Sequence, residues 1–228
     1  MLVSEYYMLP FFMQNETVKK YYEMLSEKRL ALALKRLFDI VFSLILIVLL
    51  SPLFIIISFL ILVDSRGPII YIQKRITKNY GEFKIIKFRT MYTKEGDDGN
   101  PLTVSDDARI TKVGAGLRKY RLDEIPQLFN ILMGTMTFVG TRPEVKEYVD
   151  RYTDEMKATL LLPAGLTSRA SILFRNEAEL LQSKQNVEEV YLAEILPSKM
   201  IHNLEYLRDF KFTNDILVLF QTLFMREE

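Results

Sequence analysis

Between Asp39 and Asp64 the chain carries no charge. Residues 40 to 63 read IVFSLILIVLLSPLFIIISFLILV, 24 residues whose only polar side chains are serines. As a straight helix at about 1.5 Å per residue, this run outreaches a hydrocarbon core of roughly 30 Å. A soluble helix of that length would show a polar stripe, which is missing here, so the run predicts a membrane-embedded helix. Ser51-Pro52 stands at its middle, where the proline ring removes a backbone donor and crowds the preceding turn; a kink is expected there. Lys28, Arg29, Lys35 and Arg36 precede the run, and Arg66, Lys74, Arg75 and Lys78 follow it. Basic residues mark the cytoplasmic side, so both ends read as cytoplasmic. A helix that enters the bilayer, bends at Ser51-Pro52 and leaves by the same face satisfies that count. A straight span with weak charge bias is the alternative.

The remaining length of the 228-residue chain suffices for one domain with its own core. Thirty basic and 29 acidic residues give a net charge of +1, which argues against a general footprint for nucleic acid. With no cysteine, thiolate nucleophiles and Cys-based metal sites are excluded, and the single histidine, His202, removes His-His metal motifs. Residues 1 to 30 are aromatic-rich and lack the pattern of a signal peptide. Tyr6, Tyr7, Phe11, Phe12, Tyr21 and Tyr22 suit either a lipid headgroup level or packing on the domain. After the membrane run, GPIIYIQKRI and EFKIIKFRTM predict a hairpin or two extended segments, and the Gly- and Asp-rich stretch from Thr93 to Ile110 predicts a loop. Helices are expected over about 112–120, 124–133 and 144–160, with a Pro/Gly turn at LLPAGLTS. Further helix is expected through NEAELLQSKQNVEEVYLAEIL and from Ile201 to Met225.

One stretch carries chemistry. In LRKYRLDEIPQLFN, residues 117 to 130, Asp123 reads as a helix N-cap with Pro126 in the first turn. Arg118 and Arg121 stand just upstream, Lys87 and Arg89 in KFRTM, and Arg142 in VGTRPE. Guanidinium forks and a helix N-terminus together suit phosphate oxygens. A carboxylate beside them has two uses: holding Mg²⁺ or attacking phosphorus.

The motifs KRLFD (35–39), SP (51–52), GPIIYIQKR (67–75), FKIIKFRTM (83–91), LRKYRLDEIPQLFNILMG (117–134) and FVGTRP (138–143) resemble, in order and spacing, those of the bacterial sugar transferases, the monotopic phosphoglycosyl transferases. The resemblance runs from about Lys35 to the last helix. It implies a mostly helical α+β fold with a short hairpin. An N-terminal extension (1–30) would be followed by a Pro-kinked re-entrant membrane helix (31–64) and a small cytoplasmic catalytic domain (65–228) on the inner membrane of a bacterium. It also implies a reaction: transfer of a sugar phosphate from a UDP-sugar to a polyprenyl phosphate, with release of UMP. On that resemblance Asp123 is the nucleophile and Glu124 binds Mg²⁺. Arg118 holds a phosphate oxygen, and Lys87, Arg89, Arg142 and Pro143 complete substrate binding. The chain departs from the family pattern at GTMT (134–137), at Thr141, at Thr77 and in PAGLTSRA (163–170). Two other readings stay open: a non-catalytic membrane protein of the same fold that binds a lipid phosphate or a partner, and a hydrolase that passes the phosphosugar to water. The transferred sugar and the oligomeric state, a homodimer included, are not legible.

Overall fold

The computed structural model describes residues 5–92, 107–182 and 186–224, so residues 93–106 of the predicted loop lie outside the described residues. The fold is mostly helical α+β. Two 3₁₀ turns, Tyr6–Met8 and Phe11–Met13, lead into α1 (Glu16–Ser26), whose N-cap Asn15 accepts the Val18 N–H. The apolar run forms two helices, α2 (Arg29–Leu49) and α3 (Ser51–Asp64), bent by 60°. The break falls at Leu50, and Pro52 occupies the first turn of α3, where its missing N–H costs least. No single described helix is long and apolar enough to cross a membrane, but this bent pair is by length and composition.

Both ends of the pair are tied to one domain. On α2, the buried Lys35 ammonium pairs with Asp215 and donates to the Val139 carbonyl at 2.8 Å. The Asp39 carboxylate accepts the Thr137 hydroxyl at 2.8 Å and the Phe138 N–H at 3.2 Å. At the far end of α3, Arg89 donates to the Ser65 and Arg66 carbonyls at 2.6 and 2.8 Å, and Asp64 accepts the Val113 N–H at 3.1 Å. Between these ties Val48, Leu49, Ile55, Phe59 and Val63 are exposed.

The predicted hairpin forms from β1 (Ile70–Ile76) and β2 (Glu82–Phe88), antiparallel with Ile70 opposite Phe88 and Ile76 opposite Glu82. Its tight turn sets Asn79 and Tyr80 at positive φ. Next come α4 (Lys112–Lys119), a 3₁₀ turn at Leu122–Glu124, α5 (Gln127–Met133) and β3 (Met136–Val139). The helix expected over 144–160 is only α6 (Lys146–Val149) followed by a 3₁₀ stretch at Met156–Leu161. The expected turn at LLPAGLTS contains β4 (Ala164–Thr167), which pairs parallel with β3, Met136 opposite Ala164. Gly165 makes that pairing possible: a Cβ there would lie 2.1 Å from the Gly140 carbonyl oxygen. The remaining helices are shorter than the periodicity suggests: α7 (Arg169–Leu173), α8 (Glu177–Gln182), α9 (Val187–Val190) with a π-helical turn at Tyr191–Ile195, α10 (Leu196–Arg208) and α11 (Phe212–Phe224). Asp209, Phe210 and Lys211 separate the last two, where one helix was expected.

Three apolar clusters fill the interior. The N-terminal segment belongs to the first, with Leu9, Met13, Val18, Tyr21 and Leu25 packed on Leu161, Met200 and Leu207. Its Phe12 ring meets Tyr80 at the hairpin turn, the end of the hairpin away from α3, while Tyr7 and Phe11 are exposed. The second cluster joins β3 and β4 to α5 and the inner face of α2; the third sets Ile57 and Ile61 of α3 on Phe88 and Leu117.

Candidate active site

Three elements converge on the Asp-Glu pair. Thr111 caps α4 by accepting the Gly114 N–H at 2.9 Å, and the bare Gly114 backbone packs on Thr90, where a Cβ would fall 2.1 Å from the carbonyl oxygen. The helix ends at Lys119, and Arg121, in the left-handed region (φ 53°, ψ 25°), turns the chain into the 3₁₀ turn that carries both carboxylates. The Asp123 side chain caps nothing, contrary to the N-cap expected of it; α5 starts only at Gln127, after Pro126. The far end of α5 is fixed by Arg36, whose guanidinium donates to the Ile131 and Leu132 carbonyls at 2.6 and 2.8 Å. Asn130 ties the same helix to β2, accepting the Ile86 N–H and donating to the Lys84 carbonyl. That places the next β2 side chain, Lys87, against the turn.

Glu124 is anchored through both oxygens, with one lone pair of Oε2 left over. Its Oε1 accepts from Arg142 at 2.5 Å and Lys87 at 3.4 Å, its Oε2 accepts from Arg142 at 3.2 Å, and Arg142 also donates to the Leu166 carbonyl at 2.9 Å. Burial acts to raise this carboxyl, but the charges of Arg142 and Lys87 outweigh it and hold it well below the usual carboxylate range. Asp123 behaves oppositely. Burial, then the adjacent Glu124 charge, raise its carboxyl above the usual range against the pull of Lys87, Arg118 and Arg142. The Asp123 carboxylate makes no hydrogen bond or ion pair among the described residues. Two adjacent carboxyls pushed apart in this way suit different roles: one fixed and ionised, the other open to a ligand.

Of the residues singled out in the sequence, Asp123, Glu124, Lys87, Arg118 and Arg142 come together. Pro143 follows Arg142 in the turn before α6, beside Ile76 and Thr77. Arg89 does not join them: it is buried against the α3 C-terminus, its guanidinium committed to Ser65 and Arg66. Arg75, read in the sequence only as a flanking charge, shares the hairpin face of Lys87, and its charge acts on both Arg142 and Lys87. The period-two alternation of the strands was the signal that could have placed it. Among the described residues no cluster of three or more His, Cys, Asp or Glu could hold a metal by itself.

The family model described as bacterial sugar transferase matches residues 30–226. The chain is 31% identical over 193 residues to a UDP-N-acetylgalactosamine-undecaprenyl-phosphate N-acetylgalactosaminephosphotransferase of Aeromonas hydrophila, covering 83% of this chain and 43% of that protein. It is 32% identical over 196 residues to the undecaprenyl-phosphate glucose phosphotransferase of Komagataeibacter xylinus, covering 83% and 35%. It is likewise 32% identical over 195 residues to the UDP-glucose:undecaprenyl-phosphate glucose-1-phosphate transferase of Escherichia coli K12, covering 84% and 39%. The chain thus spans less than half the length of these relatives, and the resemblance carried by its motifs is borne out.

Proposed function

The chain belongs to the bacterial sugar transferase family, and from that premise we propose that it transfers a sugar phosphate from a UDP-sugar to a polyprenyl phosphate at a membrane surface. The observation that carries the reading is the asymmetry of the carboxylates: Glu124 is locked between Arg142 and Lys87, while the neighbouring Asp123 has no partner among the described residues. In the first half-reaction an Asp123 oxygen bonds to the sugar-bearing phosphorus as the phosphorus–oxygen bond to UMP breaks, and UMP leaves with the electron pair. In the second, an oxygen of the lipid phosphate bonds to that phosphorus, and the bond to Asp123 breaks, restoring the carboxylate. Dividing the transfer suits one aqueous and one lipid substrate.

Repulsion is the obstacle. Unit charges about 4 Å apart repel by roughly 4 kcal/mol at an effective dielectric near 20. Lys87, Arg118 and Arg142 lower the Asp123 carboxyl by their charges, and the same cations would neutralise an incoming diphosphate. Mg²⁺ fits the oxygen donors present, because this ion is commonly held by one or two carboxylates together with substrate phosphates. Glu124 would hold it jointly with the donor's diphosphate, and when bound it would supply charge neutralisation for the leaving UMP.

The bent pair supports a re-entrant anchor over a span. Lys35, Arg36 and Asp39 on α2 and Asp64 to Arg66 after α3 all bond to the same compact domain, which cannot sit on both faces of a bilayer. The exposed apolar side chains between these ties would then lie in lipid, with the domain on the cytoplasmic face.

The test is to incubate detergent-purified protein with Mg²⁺, polyprenyl phosphate and a panel of UDP-sugars, and to measure UMP. Lipid-dependent UMP that disappears in Asp123→Asn supports the reading; sustained lipid-independent turnover indicates hydrolysis. No UMP across the panel favours a binding protein.

A further inference from the structure

Five cations surround the carboxylates, and they are not equivalent. Lys87 and Arg142 are held by Glu124. Arg118, on α4, acts on Asp123 through its charge. Arg75 donates to Gln73 at 2.7 Å. Arg121 is half-buried, and among the described residues its guanidinium makes no hydrogen bond and no ion pair, although Asp123 and Glu124 are two and three positions away. Its charged surroundings include two more guanidiniums, those of Arg142 and Arg175, the latter just beyond α7. A half-buried guanidinium beside two like charges is stabilised by an anionic acceptor. The backbone carries a cost of its own: Arg121 holds a left-handed conformation that glycine or asparagine would adopt more easily. Such strain is kept where the geometry serves a site.

Building on the transferase reading, we propose that Arg121 is a second phosphate-binding residue, which grips the nucleotide-side phosphate of the donor and keeps hold of it as UMP departs. Arg121 shares the field of the carboxylates with Arg118. An aqueous diphosphate bridging Asp123 and Arg121 would place its sugar-bearing phosphorus at Asp123 and its other phosphate at Arg121.

The probe is UMP itself, titrated onto the full-length detergent-solubilised protein by calorimetry. Loss of a charge-assisted hydrogen-bond donor should weaken UMP binding by roughly ten- to a hundredfold in Arg121→Asn, with Arg121→Lys falling between that variant and the native protein. The same Arg121→Asn protein should show a raised KM for the UDP-sugar. Arg121→Gly is the second variant: it relaxes the backbone and also lacks the guanidinium, so its UMP affinity should fall equally. Native-like UMP binding in Arg121→Asn or Arg121→Gly would show that Arg121 serves the turn only and would overturn the proposal. A native protein that binds no UMP would instead remove the transferase reading on which it stands.

Discussion

Replacing Lys35 by methionine cuts the tie between the apolar pair and the domain, in the field of the buried Asp39 on the same helix. Lys35 and Asp215 are 1% and 2% exposed, and without the ammonium the Asp215 carboxylate keeps only the Tyr206 hydroxyl, at 2.8 Å. Breaking a buried pair from one side typically costs about 3–5 kcal/mol. A second route gives a similar figure. Burial already raises the Asp215 carboxyl above its ordinary value, and without Lys35 the carboxyl escapes most of its penalty by taking up a proton on folding. That uptake costs about 1.4 kcal/mol for each pH unit above the unfolded value near 3.9, hence roughly 4 kcal/mol at pH 7 and about 1.5 at pH 5. The sign follows: a carboxyl raised in the folded state binds more protons there than in the unfolded chain, so stability is lost as pH rises. At about 2–4 °C per kcal/mol for a chain of this size, Lys35→Met should melt roughly 8–16 °C below the native protein at pH 7, and by about a third of that at pH 5. Thermal unfolding of nanodisc-embedded protein at the two pH values reads this directly. Lys35→Met with Asp215→Leu removes both charges and should recover most of the loss. A shift of equal size at both pH values, or a double variant as damaged as the single one, would refute the assignment.

On the proposed mechanism, Asp123 sets the pH response of the chemistry. Its carboxyl titrates above the usual range because of burial and Glu124, so the lipid-independent UMP burst should rise with pH through that raised value. Its contribution to stability should fall over the same window, from the ordinary carboxylate value up to the raised one, and Asp123→Asn should abolish both slopes. Gly165→Ala should destabilise by roughly 1–3 kcal/mol or more through overpacking, since its Cβ would meet the Gly140 backbone at 2.1 Å; a melting temperature within 1–2 °C of native, about the noise of such a scan, would contradict the close β3–β4 pairing. Single cysteines at Glu27 and Arg66, both exposed, should react with an impermeant reagent from the same side of sealed vesicles. Labelling from opposite sides would mean that the bent pair spans.

What the sequence made legible was what depends on long runs. Twenty-four uncharged residues and a central Ser-Pro dipeptide reveal a broken apolar helix without any tertiary knowledge, and two β-branched segments around Gly81 suffice for the hairpin. The β3–β4 pair was not legible. Each strand has four residues, β4 is AGLT with two small residues, and its pairing depends on a glycine-to-glycine approach across sequence-distant loops. Asp123 read as an N-cap because Asp-Glu-x-Pro is a common helix start. The left-handed Arg121 instead closes a 3₁₀ turn first and frees the carboxylate.

The arginines explain why the rest of the site was harder to read. In the sequence Arg89 and Arg118 are alike, basic residues without a nearby acidic partner, and Arg36 differs from them only by Asp39 three positions on. In space two of them are spent on backbone carbonyls at helix C-termini, Arg36 on α5 and Arg89 on α3, acceptors that leave no trace in residue identity. That expenditure has a purpose in the geometry. α5 begins just after the carboxylates and α3 ends the membrane pair, so the two capping arginines fix the turn and the apolar helix to one frame. Arg118 and Arg121, whose guanidiniums are not consumed by such caps, are left to meet a ligand. The transfer proposed above, which joins an aqueous anion to a lipid-borne one, would use both kinds of arginine: some to hold the site beside the apolar pair, and others, unpaired among the described residues, to meet the phosphates.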